Sequence, residues 1–520
     1  MILDAGSPDR GAFARPFDIC IVGSGPAGMT LARSLAARGF DVALMEGGSF
    51  DVTVESQEMY AGEIVGLDYM DLDVVRIRVF GGCSEHWSGR TGVIPAHDFL
   101  PMPQRPLAWP ITKADLDPYQ PEASEIFELG LAWQPPDLAL PQAEQRFRNI
   151  QFRQSPPVRM GQKYRDEIAA NPRITAAINA NLVDMRLGPD LATVTGAVFR
   201  SYEPDDPGFT VSARVFALCL GGFETPRMML NFNSQKPAGI GNDNDLVGRY
   251  FCEHPSREMA LAIYTHRREI MQDNYAPTPE FMEREGILDF ILRVTWRDRA
   301  PKSLADSLKG ALECATPFTE RLGARIRGGP RDCLWGGDEE FHRLHDPDAY
   351  PSGTVWMACE QSLIRDSRVM LAEETDAFGL RRMRLDWKLD EIDYRTMLTG
   401  LTALGQHFAE QDIGRIRIPD WLLADNPRLP GGAGAVHSGD WNGGYHQMCT
   451  TRMADDPREG VVDRNCRVHG MDNLYIGGSS VFGSPSYVNP TYTIVQLALR
   501  LGDHLGAVLP AGGVVGEVLQ

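Results

Sequence analysis

The chain has 520 residues, 43% hydrophobic and 23% charged, the balance of a globular protein large enough for two or three domains. Its 70 acidic and 51 basic side chains leave a formal charge of −19. That argues against a nucleic-acid or anionic-membrane surface, either of which needs a clustered basic footprint, and suits a neutral or cationic small molecule. No stretch reaches the roughly 20 apolar residues of a spanning helix, the opening residues lack an apolar export core, and 9 cysteines scattered singly read as reduced thiols, so a cytoplasmic location is expected.

The first informative stretch is FDICIVGSGPAGMTLARSLAARGFDVALMEGG. Residues 18–22 predict a strand that ends in a glycine-rich turn. A helix follows with Leu31, Leu35 and Ala36 at core-facing spacing, and a second strand over 41–45 delivers Glu46. Gly23 permits the tight turn, Gly25 lets backbone approach a pyrophosphate, and Gly28 lets helix pack on sheet. The helix N-terminus offers N–H groups to phosphate, and Glu46, 18 residues past Gly28, is spaced to accept from both ribose hydroxyls. Strand, glycine turn, helix, strand and acid together specify a dinucleotide site through Gly23, Gly25, Ala27, Gly28 and Glu46. The position near the N-terminus, the proline in the loop and the glycines after Glu46 favour FAD over NAD.

Farther along, RVFGGCSEHWSGRTGVIP (78–95) is too long for a simple turn, and Thr112 with Asp115 forms a capping-box start to a helix. Residues 174–220 predict short strands leading into GGFETPRMML, a helix with Pro226 in its first turn. Residues 256–350 have poor periodicity and read as loops and lids of a second domain. Strand-like alternation returns in SRVMLAEE and RRMRLDWKLD, and YRTMLTGLTALGQHFAEQ has helical spacing. No linker divides the chain, so two discontinuous domains are expected. Near the C-terminus NLYIGG predicts a buried strand. NPTYTIVQLALRLGDHL then predicts a helix with Asn489 as N-cap, Pro490 at N1 and apolar residues at 494, 497, 498 and 501.

These segments, with NDLVGRYFCEHP, HQMCTTRM and GVVDRNCRVHGMDNLYIGGSSVF, resemble in order the flavin-dependent glucose-methanol-choline (GMC) oxidoreductases over nearly the whole chain, nearest the bacterial branch of pyranose and glycoside oxidases. The resemblance is weakest over 256–440. It implies an α/β fold: a Rossmann-like, doubly wound FAD-binding domain from residues 1–100, 175–255 and 440–520, and a substrate domain of antiparallel sheet plus helices from 101–174 and 256–439. It implies further FAD contacts at Gly81, Gly82, Ser84, His86, Leu182, Gly222, Gly478, Asn489, Pro490 and Thr491. His446 matches the active-site histidine and Asn489 its partner.

Alcohol oxidation needs a proton acceptor beside a hydride acceptor, and an imidazole with an unperturbed pKa of about 6.5 suits the first role. His446 is therefore the expected general base, with Asn489 holding the substrate oxygen. The substrate implied is a sugar or glycoside; a small or aromatic alcohol, or a non-redox lyase on the same fold, are the alternatives. The electron acceptor implied is O2 or a quinone-like carrier, and an oligomer is compatible with the family. Pyranose oxidases carry a flavin-linked histidine in Thr-His-Trp; here the trio is Glu85-His86-Trp87, which leaves a covalent bond at His86 open. Cys449, at a family glycine position, reads as a small buried residue. His254 and His469 read as structural, Asp463 as ordering a turn, and Glu360 and Gln361 as closing a substrate-facing strand.

Overall fold

The computed structural model describes residues 1–130, 146–150, 152–265, 272–295, 352–430, 443 and 445–509. The glycine-turn segment folds as read: strand Phe17–Val22, helix Pro26–Ala37, strand Val42–Met45. Both strands are buried almost throughout, as strands of a parallel sheet covered on two faces must be. They sit centrally in a six-stranded sheet ordered Ile2–Asp4, Ile174–Ile178, Val42–Met45, Phe17–Val22, Ala213–Leu218, Leu474–Ile476, in which every pairing is parallel. A Cβ on Gly28 would lie 1.9 Å from the Gly23 carbonyl oxygen, so only glycine lets the first helix start this close to its strand. The C-terminal helix Thr491–Val508 packs against Pro26–Ala37, which joins the two ends of the chain on one side of the sheet.

A second six-stranded sheet is wholly antiparallel, in the order Gly414–Arg417, Ser256–Tyr264, Ser352–Cys359, Phe290–Thr295, Gln272–Pro277, Phe147–Asn149. One face packs on the helix Glu391–Glu410, where Leu401 and Leu404 join Phe290, Leu292, Val355 and Met357 in a second core. The opposite face presents Ile291, Arg293, Trp356 and Ala358 to a cavity. The Rossmann-like α/β class is thus realised as a parallel and an antiparallel sheet, each with its own core.

Three local expectations need correction. The stretch from 256, read as loops and lids, holds three strands and the helix Pro279–Glu285; residues 296–351 lie outside the described residues. Charged residues on the cavity face, such as Arg293, broke the alternation that would have announced the strands. The Thr112–Asp115 capping box forms, but on a single 3-10 turn, Lys113–Asp115. Pro118 and Pro121 follow, and α-helix begins only at Gln120. Pro226 lies in the second turn of helix Gly221–Asn231, not the first.

That proline has no N–H for the carbonyl of Gly222, four residues back. Thr450 Oγ1 donates to that oxygen instead, at 2.5 Å, and so ties this helix to the segment after His446. Thr450→Val keeps the volume and removes the donor. It should lower stability by about 1–3 kcal/mol, the cost of an unsatisfied buried carbonyl, seen as a lower thermal midpoint than in Thr450→Ser.

Candidate active site

The strands Phe17–Val22, Ala213–Leu218 and Leu474–Ile476 run parallel and end at glycines: Gly23, Gly221–Gly222 and Gly477–Gly478. A cavity of 710 Å³ opens there, outside the carboxyl ends of the strands, where ligands of open α/β sheets bind. Of the sequence-derived candidates, Gly23, Gly25, Ala27, Glu46, Gly82, Ser84 and His86 line it from the N-terminal side. Gly222, His446, Gly478, Asn489, Pro490 and Thr491 line it from the remaining chain.

Three candidates do not reach it. Gly28 is turned onto Gly23. Gly81, at φ +99°, stands behind the wall and donates its N–H to Ser24 Oγ at 3.0 Å. Leu182, on the strand Asn181–Leu187, points into the first core rather than the cavity.

The site fits a dinucleotide. A Cβ on Gly25 would approach no closer than 3.9 Å to protein, and one on Gly221 would meet nothing within 4 Å: both glycines leave room that the cavity uses. The N-termini of Pro26–Ala37 and Thr491–Val508 both meet the wall, offering two positive dipole ends to anionic groups. Glu46 is buried; Oε2 accepts from Ser24 N at 3.0 Å and Ser24 Oγ at 2.7 Å, and Oε1 from Gly48 N at 2.8 Å. One lone pair of Oε1 is left for a ribose hydroxyl. Asn489 does not cap: the helix is capped at Pro490, and the Asn489 amide turns to His446 instead.

His446 sits in a loop strapped on both sides. Met448 and Cys252 exchange backbone hydrogen bonds, and Cys449 N and Thr451 N donate to the carbonyls of Ser479 and Ser480. Tyr445 and Cys449 hold φ of +62° and +68°, strained values for non-glycine residues that bend the loop around the histidine. The Cys449 conformation is one that glycine adopts without that strain.

The His446 backbone N–H donates to the buried Glu253 carboxylate, at 2.8 Å to Oε1 and 3.0 Å to Oε2. The same carboxylate accepts from His254 N at 2.8 Å and from the Tyr69 hydroxyl.

The ring of His446 meets two partners. Its Nδ1 lies 2.9 Å from Nδ1 of His254, and its Nε2 lies 3.5 Å from Asn489 Nδ2 on the cavity side. Burial holds His254 down at about 4, and burial followed by the neighbouring His254 holds His446 well below the ordinary histidine value. Both rings are therefore neutral at physiological pH, with one N–H each.

His254 Nε2 faces the Pro485 carbonyl at 3.3 Å, which can only accept. The His254 proton is then on Nε2, its Nδ1 is bare, and His446 must donate from Nδ1. His446 Nε2 is left with its lone pair on the cavity side, where the Asn489 amide lies beside it at 3.5 Å.

Sequence reading missed this arrangement. His254, taken as structural, is in direct contact with His446, and Glu253 and Tyr69 were not singled out. Only the adjacency of Glu253 and His254 in CEHP was visible beforehand. Glu360 and Gln361 are corrected as well. Neither lines the cavity. Glu360 pairs with Arg105, and Gln361 accepts from Glu253 N at 3.0 Å and Trp387 Nε1 at 2.8 Å, because the strand ends at Cys359 and turns them into the interior.

Ligand-type side chains from distant segments also meet: His97, Asp98 and Asp289 lie within 4.8 Å of one another, with Arg105 and Arg148 supplying counter-charge. Asp98 accepts from Ser486 Oγ and so braces the turn that carries Pro485. His469 Nε2 bonds Ala454 O at 2.9 Å, and Asp463 accepts from Asn465 N and Arg467 N at 2.8 and 3.0 Å, which is local scaffolding.

Residues 364–498 match the family model described as GMC oxidoreductase, and residues 21–50 match an NAD(P)-binding Rossmann-like domain. The chain is 22% identical to 2-methyl-1,2-propanediol dehydrogenase of Mycolicibacterium austroafricanum over 94% of its own length and 95% of the relative's. It is 22% identical to pyranose 2-oxidase of Emericella nidulans over 58% of this chain and 49% of that one. Among solved structures, a fungal aryl-alcohol oxidase aligns with a TM-score of 0.56 at 14% identity, covering 95% of this chain and 99% of that one. Among the described residues, no helix is long and apolar enough to cross a membrane.

Gly25→Val would place methyl groups where only the cavity lies. The variant should fold as the parent does, by circular dichroism, yet retain at least tenfold less flavin per chain after dialysis. Equal flavin content would mean that the cofactor does not pass over this turn.

Proposed function

We propose that the chain is a GMC-type, FAD-dependent oxidoreductase acting on CH–OH donors, and that it oxidises an alcohol group of a sugar or glycoside with His446 as general base. The observation that carries the reading is the imidazole pair, which leaves the lone pair of His446 Nε2 facing the cavity beside the Asn489 amide. Bound FAD, held by the glycine turn, Glu46 and the helix start at Thr491, would supply the acceptor for the carbon-bound hydride.

The chain's own residues handle the rest. A substrate hydroxyl donates to His446 Nε2, and Asn489 Nδ2 donates to the same oxygen, stabilising the negative charge that grows on it as the proton leaves. As His446 becomes cationic, its Nδ1 proton stays bonded to His254 Nδ1, which prevents the ring from turning. Burial opposes that cation, so it is short-lived and readily returns its proton. The sugar assignment draws on the likeness to pyranose 2-oxidase; the likeness to 2-methyl-1,2-propanediol dehydrogenase supports a small alcohol as the second reading.

Anaerobic bleaching of the flavin by a panel of sugars, glycosides and small alcohols tests the function. A lyase would leave the flavin oxidised with every one. His446→Ala should slow bleaching by about 10²–10⁴-fold.

The pH profile has a defined sign. Because the base acts unprotonated and its value lies well below 6.5, the rate should stay level as pH falls through 6.5 and drop only in stronger acid. His254→Leu removes the acceptor of the Nδ1 proton and frees the ring. It should lower the rate at least tenfold, with His254→Gln, which keeps an acceptor, partly restoring it; equal rates in all three proteins would remove His254 from the mechanism.

The His86 ring faces the same cavity, and among the described residues it has no hydrogen-bond partner of its own. We take it to pack against FAD without a bond, given the departure at Glu85. Acid precipitation should leave the yellow colour in the supernatant; colour in the pellet would assign a covalent link.

A further inference from the structure

The cavity floor built by the antiparallel sheet carries a second polar feature that proton transfer does not use. Arg293 and Trp356 are paired on neighbouring strands, and the guanidinium lies over the indole, 4.4 Å from the ring centroid. Arg90, from the glycine-rich segment after His86, stacks on Phe152 at 4.3 Å and donates to Asn274 Oδ1 at 3.2 Å. Asn274 is itself the cross-strand partner of Arg293, so the two cations occupy adjoining positions. All four side chains of the two stacks line the cavity.

Neither guanidinium has an ion pair with a carboxylate among the described residues. Glu258, level with Trp356 on the next strand, contributes attraction to Arg293 from outside the cavity wall and is engaged by Thr354 Oγ1 at 3.2 Å. The two carboxylates on the wall are already committed, Glu46 to Ser24 and Gly48, Glu224 to Arg76 and Arg227. Burial, then the neighbouring Arg293, brings Arg90 down to about 10, and burial lowers Arg293 too; both remain cations at neutral pH. Two like charges are therefore held near one another by aromatic stacking, and among the described residues neither is paired directly with a carboxylate. An anion between them would relieve that cost, and a planar carboxylate matches two guanidinium forks.

The position suits a substrate. Ser256, two residues beyond His254, is level with Ala358, and Ala358 with Ile291; Arg293 is two residues along the strand from Ile291. Two strands across and two residues along put Arg293 about 12 Å from Ser256 between Cα atoms. A sugar ring and the extended arginine side chain together span that order of distance.

We propose that Arg90 and Arg293 form a subsite for a carboxylate carried by the alcohol substrate, which makes the donor an acidic sugar such as a uronic acid or its glycoside. The inference rests on the alcohol-oxidising reading above and narrows it. It opposes the expectation from the net charge of −19, since a cleft can focus a local positive field within an acidic protein.

The test compares the flavin-loaded protein on methyl glucuronide, methyl glucoside and glucose 6-phosphate, by anaerobic bleaching, with calorimetric binding of glucuronate as a second readout. The glucuronide should exceed the glucoside at least tenfold in kcat/KM. Arg293→Met and Arg90→Met should each cut that ratio tenfold or more and abolish glucuronate binding. A parent ratio of one or below overturns the proposal whether or not the variants fold, as does a ratio unmoved in both folded variants. A tenfold preference for the sugar phosphate overturns the carboxylate assignment. Bleaching by the glucoside alone leaves the alcohol-oxidising reading standing and removes the subsite. If no alcohol of either charge bleaches the flavin, that reading fails, while glucuronate binding still decides the subsite: binding lost in Arg293→Met supports it, and no binding overturns it.

Discussion

The contact between two neutral imidazoles, His254 Nδ1 and His446 Nδ1 at 2.9 Å, sets the chemical character of the cavity. A lone buried histidine in a flexible loop would exchange tautomers and rotate. Here the Pro485 carbonyl fixes the proton of His254, His254 fixes that of His446, and the outcome is a base whose reactive nitrogen is selected in advance. The chain of constraint reaches farther: Ser486, next to Pro485, donates to Asp98, and Asp98 is held by Arg105. The buried Asp98–Arg105 pair thus helps to position one carbonyl oxygen.

The backbone supplies the complementary constraint. Glu253 gathers the N–H groups of both His254 and His446, so two chain segments 192 residues apart are clamped by one carboxylate before their rings meet. Pro226 and Thr450 work in the same direction: the carbonyl that the proline leaves open is filled from the segment after His446. A Cβ at Gly222 would lie 2.2 Å from the Gln447 carbonyl oxygen, so the helix start and the histidine loop touch with no space between. Packing density and hydrogen-bond satisfaction, rather than any single strong bond, set the position of the base.

How much of this was legible in the sequence follows from how local each determinant is. The glycine turn was readable because strand, turn, helix and acid lie within a few dozen residues and each obeys a period or a φ requirement. The C-terminal helix was readable for the same reason, although Asn489 looked like its cap and proved to face His446. His446 itself carried no local signal; the family resemblance alone pointed to it. His254, Glu253 and Tyr69 were illegible because their roles arise from contacts across the fold, and no spacing rule links residue 69 to 253 or 254 to 446. The strands of 256–295 were obscured by the substrate side of the cavity, since a face that needs Arg293 and Trp356 cannot show clean apolar alternation.

Taken together, positive groups predominate around the cavity. Two helix N-termini, a glycine turn and the guanidiniums of Arg90 and Arg293 meet it, together with imidazoles kept neutral and an amide donor. The carboxylates that reach the wall are engaged by protein donors, Glu46 keeping one acceptor position for a ribose hydroxyl. Such a surface stabilises negative charge wherever it develops, on phosphate, on a substrate oxygen losing its proton, or on an acid group of the substrate. A base that is neutral at rest fits this field: a permanently charged His446 would add a further cation to it, and burial, then the neighbouring His254, opposes that charge. The strongly acidic exterior and the electropositive interior are therefore separate features, and the sequence-wide charge describes only the first.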